Sequence, residues 1–154
     1  MGKLAVIKLR SDINARQEVK DTLRMLGLMR VNHCVIVDDN KSVLGMIKKV
    51  KDYVTWGEIR PDVLERLLVK RGRLPGGKRV TEEFIKTTSK FQSVAELAVA
   101  AERGSVELGE IGIKKIFRLH PPRRGYKSTK RPVKDSGDLG YRGDKINDLI
   151  NRMM

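Results

Sequence analysis

Between Lys114 and Lys134 the chain carries nine basic residues and no acidic one, with Pro121, Pro122, Gly125 and Pro132 spaced through the run. Prolines remove backbone donors and break helices, and like charges at this density cannot be buried together. The composition of the stretch is therefore unlike that of a packed core, and no helix can run through it. It should run extended and irregular, poorly held by its own contacts. Tyr126 and Val133 interrupt the charges, however, and an amphipathic segment follows them. A chain that must return to a packed element is better laid against a partner than left as a free tail.

The partner implied is a polyanion. The net charge is +14 over 154 residues, and most of the excess lies in that one run. Self-repulsion on this scale destabilises the compact state unless it is neutralised, and nucleic acid is the commonest neutraliser. An anionic membrane is the second candidate, disfavoured because the run has prolines and few large apolar groups and so offers no inserting amphipathic helix. No stretch approaches the ~20 apolar residues that span a bilayer. Leu4 to Ile7 is too short for a signal peptide, Lys8 and Arg10 follow at once, and Val6 stands where a myristoylation motif wants Ser or Thr. The lone Cys34 cannot form an internal disulfide and reads as a small core hydrophobe. The expectation is a soluble, cytoplasmic protein with no membrane partner.

The N-terminal third alternates short apolar runs with helical patterns. Leu4 to Leu9 reads as a strand, and Asn14 with Gln17 as a capping box opening a helix that ends at Gly27. A strand at 33–37, a turn at 38–40, a short helix marked by Leu44, Ile47 and Val50, and a strand at 53–56 complete a βαβαβ order. Two short helices can cover one face of a three-stranded antiparallel sheet, leaving the other face for partners or solvent. The fold expected is α+β: a small ferredoxin-like core over residues 1–58, and a mostly helical and extended C-terminal elaboration over 59–154. In the elaboration Pro61 begins a helix ending at Gly72, Thr81 opens a short helix, and Ser93 with Glu96 forms a second capping box. Residues 104–112 read as a turn region and 113–119 as a possible strand. The basic extended segment occupies 114–134, and a terminal helix capped by Asp144 occupies 144–154.

Little in the chain suggests catalysis. His33 and Cys34 are adjacent on a strand and point to opposite faces, so they form no nucleophile-base pair. Two histidines and one cysteine, widely scattered, lack zinc-ligand spacing, so no metal, cofactor or small-molecule substrate is expected. Gly76-Gly77-Lys78-Arg79 lacks the spacing and hydroxyl of a phosphate-cradling loop. Aromatic residues make up only 5%, too few for the interleaved platform of single-strand binders. That favours folded RNA read through phosphates and shape. Lys48, Lys49 and Lys51 suit either a solvated helix face or such contacts.

Five segments carry a resemblance: Val31-Asn32-His33-Cys34, Leu44-Gly45-Met46 leading into Lys49-Val50, Val54-Thr55-Trp56-Gly57-Glu58, Arg118-Leu119-His120-Pro121-Pro122-Arg123, and Gly137 to Met153. With them, and from Lys3 to the C-terminus, the chain resembles an archaeal member of the large-subunit ribosomal protein thirty family, related to eukaryotic large-subunit protein seven. The resemblance implies a non-enzymatic, structural ribosomal protein within the large subunit. Its partners would be large-subunit ribosomal RNA and neighbouring ribosomal proteins. Leu44 stands where many relatives have Arg, so it is left out of the contact set. Joining the basic run to the family's contact positions, the residues expected to meet RNA are Arg10, His33, Gly45, Met46, Lys48, Lys49, Lys51, Lys114, Lys115, Arg118, His120, Arg123, Arg124, Tyr126, Lys127, Lys130, Arg131 and Lys134. The competing readings are a free-standing RNA or DNA chaperone and a membrane-surface protein.

Overall fold

Residues Lys3–Lys8 are buried along their whole length. In the computed structural model, which describes residues 2–154, they form β1, the central strand of a five-stranded sheet. The others are β2 (His33–Asp38), β3 (Val54–Glu58), β4 (Ile116–Arg118) and β5 (Gly140–Tyr141), in the order β4-β2-β1-β3-β5. β1 is antiparallel to both β2 and β3, β4 is antiparallel to β2, and β5 is parallel to β3.

Side chains alternate across a strand, so β1 presents Leu4 and Val6 to one face and Ala5 and Ile7 to the other. On the first face α1 (Gln17–Leu26) and α2 (Lys41–Lys49) contribute Leu23, Leu26 and Ile47, which pack with Leu4, Val6, Val35 and Trp56. The second face is covered by α3 (Pro61–Arg71), α5 (Val94–Glu102) and α7 (Ile146–Met153). These bring Leu64, Leu68, Leu97, Leu149 and Ile150 onto Ala5, Ile7, Cys34 and Phe117. Two shorter helices, α4 (Glu82–Thr88) and α6 (Leu108–Ile111), close that layer. No helix among the described residues is long and apolar enough to cross a membrane.

Two expectations are corrected. The sheet has five strands and is mixed, because the elaboration returns to add β4 at one edge and β5, in parallel, at the other. Nor is the second face free. Ala5, Ile7, Cys34 and Ile36 are as apolar as the residues facing α1 and α2, and a strand with a continuous apolar run such as Leu4 to Ile7 requires cover on both sides.

Local chemistry sets most helix ends. Gly27 adopts φ 83° past α1, and the Leu28 N–H reaches back to the Leu23 carbonyl at 2.9 Å. The side chains of Asn40, Thr81 and Ser93 accept from the first turns of α2, α4 and α5. The capping box at Asn14 does not form. A turn from Asp12 to Ala15 intervenes, Arg16 takes the cap position without a side-chain bond, and the Gln17 amide donates to Asp21 instead. Residues 104–112 include α6 as well as turns. Asp144 lies in a 3-10 turn (Gly143–Lys145) before α7, where its carboxylate accepts from Asn147.

A buried polar seam joins the last thirty residues to β3. Asn147 is fully buried; its oxygen accepts from the Arg60 N–H at 2.9 Å and its amide donates to the Glu58 carbonyl at 3.0 Å. Thr55 donates its hydroxyl to the Gly140 carbonyl at 2.7 Å and accepts from Arg142 Nε at 2.9 Å. Arg142 also pairs with buried Asp138 at 3.0 Å. Gly57 is required here, since a Cβ would lie 2.0 Å from the Gly143 carbonyl oxygen.

Truncating Asn147 removes the partners of the Arg60 N–H and the Glu58 carbonyl and opens a cavity at a fully buried side chain. Asn147→Ala should cost about 2–4 kcal/mol of stability in urea unfolding. A loss below about 0.5 kcal/mol would mean the seam is not what holds α7 to β3.

Candidate nucleic-acid interface

The backbone of the basic run is pinned to the rest of the molecule, contrary to the expectation that its own contacts hold it poorly. The N–H groups of His120 and Arg123 donate to the carbonyls of Met153 and Arg152 at 3.1 and 3.0 Å. Both His120 ring nitrogens sit against main-chain oxygens, of Pro121 at 2.6 Å and Met154 at 2.5 Å. Tyr126 donates its hydroxyl to Asn32 Oδ1 at 2.8 Å. Further on, Ser128 and Asp138 bond reciprocally, the Ser128 N–H to Asp138 Oδ2 at 3.0 Å and the Asp138 N–H to the Ser128 carbonyl at 2.9 Å. Gly137 passes so close beneath Arg131 that a Cβ would fall 1.9 Å from the Arg131 carbonyl oxygen. The anchors are backbone groups, neutral side chains and one acid beyond the run, none of which composition exposes.

The cations point outward. All nine basic side chains from Lys114 to Lys134 are exposed. Among the described residues only one of them, Lys115, makes an ion pair, with Glu107 at 2.8 Å. The result is a row of free charges on a held backbone.

Of the other expected contacts, Lys48 and Lys49 are exposed on α2. Gly45 leaves bare backbone there, with no atom within 4 Å of where a Cβ would stand, while Met46 is half-buried. His33 sits opposite Arg118 in the β2–β4 register. Its Nδ1 is buried without a partner, and burial, then the charges of Arg118, Arg30 and Lys8, lower its pKa. Cys34, next to it, faces the core, and burial pushes its thiol up to about 12.

Four of the expected residues converge on one concavity of about 670 Å³. Arg10 comes from the loop after β1, Lys51 from the end of α2, and Lys130 and Lys134 from the basic run. Its walls include Tyr53, Trp56 and Tyr141, which the charge argument passed over. The Arg10 guanidinium lies over the Tyr53 ring at 5.5 Å, and the Trp56 and Tyr141 rings are 6.2 Å apart. Tyr53 and Trp56 are close in sequence and visible there, but Tyr141 joins them only through the parallel β3–β5 pairing, which sets it opposite Trp56. The remaining positions, Lys114, Lys115, Arg118, His120, Arg123, Arg124, Tyr126, Lys127 and Arg131, do not line this concavity.

A family profile described as Ribosomal protein L30p/L7e matches residues 4–54. A protein of Methanococcus maripaludis named large ribosomal subunit protein uL30 is 51% identical over 152 residues, covering 97% of this chain and 98% of the relative. Proteins of the same name from Methanopyrus kandleri and Methanosphaera stadtmanae are 48% and 43% identical, covering 95% and 97% of this chain and 100% and 99% of the relatives.

The Tyr126 anchor has a pH signature. Burial, aided by the charge of Asp138, raises its phenol to about 12. An unfolded tyrosine loses its proton near pH ~10. In the window between, the folded chain holds a proton that the unfolded chain has lost, so stability falls as pH rises through it. Tyrosinate absorbance should show one phenol titrating near the top of that window, and Tyr126→Phe should remove that component. Loss of all tyrosine protons near pH ~10 in the folded protein would refute the anchor.

Proposed function

The chain belongs to the L30p/L7e family of ribosomal proteins, and we propose that it is a structural constituent of an archaeal large ribosomal subunit. In this reading it works in translation from within the cytoplasmic ribosome, among neighbouring ribosomal proteins, and binds and stabilises folded large-subunit ribosomal RNA through phosphate and shape contacts. Residues 1–58 act as a ferredoxin-like RNA-binding core and 59–154 as an extension that carries most of the charge.

The observation that carries the RNA contact is the nine exposed cations on a backbone held by anchors outside that row of charges, the Tyr126 hydroxyl and the Asp138 carboxylate among them. Flexible cations lose conformational freedom when they engage phosphates, whereas a held row has already lost much of it in folding. The row suits a fixed polyanionic surface better than a shifting one. Lys48, Lys49 and the bare Gly45 on α2 offer a second contact strip, and Arg118 extends the row along the β4 edge.

Each phosphate neutralised contributes ~0.9 to the slope of log K against log salt for duplex DNA, and somewhat less for other forms. If about six of the nine engage, the slope on large-subunit ribosomal RNA should be near five. The triple variant Arg123→Ala, Arg124→Ala, Lys127→Ala should lower it by about two to three. Tagged protein in a sucrose gradient of native lysate should migrate with the large subunit at moderate salt. A flat salt dependence, or protein confined to the top of the gradient, would sink the proposal. Equal affinity for an unrelated structured RNA would favour a chaperone without a fixed site.

A further inference from the structure

The aromatic content of the chain is too low for an extended stacking platform, yet the fold gathers what there is. Three of its four Trp and Tyr residues, Tyr53, Trp56 and Tyr141, line the one concavity that Arg10, Lys51, Lys130 and Lys134 also line. The only acid in the lining is Asp52, whose carbonyl accepts from Arg10 at 3.4 Å. Ligand pockets span roughly 300–1,000 Å³, so about 670 Å³ is roomy enough for one nucleotide unit.

The rings differ in availability. Tyr53 already carries the Arg10 guanidinium on its face. Trp56 is 9% exposed and forms part of the floor. Tyr141 is 56% exposed, an unusual position for a large ring, and it is not loose. Its hydroxyl donates to Glu58 Oε1 at 2.7 Å, and its backbone pairs with Trp56. A ring fixed at its far end with an open face is preorganised for stacking, because little freedom is lost on contact.

We propose that this cup is a socket for a single unpaired nucleotide of RNA, with the base stacked on Tyr141 over the Trp56 floor and the flanking phosphates held by Lys130 and Lys134 on one side and Arg10 and Lys51 on the other. The inference rests on the RNA-binding role above and adds to it a local requirement. Bases inside a duplex are already stacked on their neighbours, so the socket selects a bulge, loop or strand end, where a base can be splayed out onto an aromatic side chain. A ring face carries no base code, so affinity is gained with little sequence preference.

Trp56 is the chain's single tryptophan and lines this cup, so its fluorescence can be followed without contribution from another indole. The test titrates the full chain with an oligoadenylate of about nine nucleotides, within the usual single-strand site sizes, and with an abasic strand of equal charge. The adenylate should perturb Trp56 emission and bind about ten-fold more tightly than the abasic strand, the usual worth of one stacked base. Tyr141→Ala should reduce the adenylate to the abasic level, while Tyr141→Phe, which keeps the ring and loses only the Glu58 bond, should retain most of the advantage. Lys130→Ala with Lys134→Ala should weaken both strands alike. Tyr141 is exposed, so its truncation leaves the core intact, and circular dichroism checks this. Equal binding of the two strands, unmoved Trp56 emission, or indifference to Tyr141→Ala overturns the socket. Binding of the same protein to large-subunit ribosomal RNA separates the two claims. If that persists while base dependence is absent, only the socket fails; if it is absent as well, the RNA-binding role fails with it.

Discussion

The architecture follows from one strand that is apolar on both sides. β1 buries Leu4 and Val6 against one helical layer and Ala5 and Ile7 against another. A sheet of three strands with two helices can satisfy only the first of these demands. The second layer must come from the C-terminal half, and burial of side chains such as Leu64, Leu97 and Leu149, each contributing about 1.5–3 kcal/mol, drives that half back onto the sheet. Once α7 has returned to β3, the position of everything between is constrained at both ends. The basic run from Lys114 to Lys134 lies within that connection, which is why it lies on the protein instead of trailing from it.

Holding a cationic segment on a cationic protein is unfavourable unless the attachments avoid the charges. The anchors do avoid them. Backbone N–H groups of His120 and Arg123, the Tyr126 hydroxyl and the Ser128–Asp138 pair fix the path, and the charged side chains extend into solvent. The buried Asp138 has its own counter-charge in Arg142, so it supplies acceptors without drawing on the exposed row. Such a surface retains its repulsion in the free protein, and any polyanion that bound the folded chain alone would add stability by mass action. His33 and fully buried Cys34 lie on β2 beneath the β4 edge, where burial lowers the histidine pKa and raises that of the thiol.

Much of this was legible in the residues. The βαβαβ order, the helix ends at Gly27 and Gly72, the caps at Thr81 and Ser93, and the location of the excess charge all rest on local chemistry that spacing reveals. The number of covered faces is less legible. One amphipathic pair of helices accounts for a single face of the sheet, whereas the continuous apolar run at β1 requires a second cover. The Asn14 box failed for a comparable reason: a turn from Asp12 to Ala15 competes for the same residues, and capping signatures do not rank such alternatives.

The sequence by itself determined the periodicities, the helix punctuation and the density of charge in one segment, because each depends on neighbours within a few residues. The family resemblance was equally legible, since it lies in short strings such as Val54 to Glu58 and Gly137 to Met153. Only the tertiary structure decided that the sheet has five strands and that the basic run is pinned. It alone brought Tyr141 beside Trp56 and within one concavity with Arg10 and Lys130. Those facts depend on pairings between residues far apart in the chain, such as Thr55 with Gly140, 85 positions on, and Asn32 with Tyr126, 94 positions on. Their partners are chosen by buried area and by the polar seam at Asn147 and Arg142, terms that exist only once both faces of the sheet are covered.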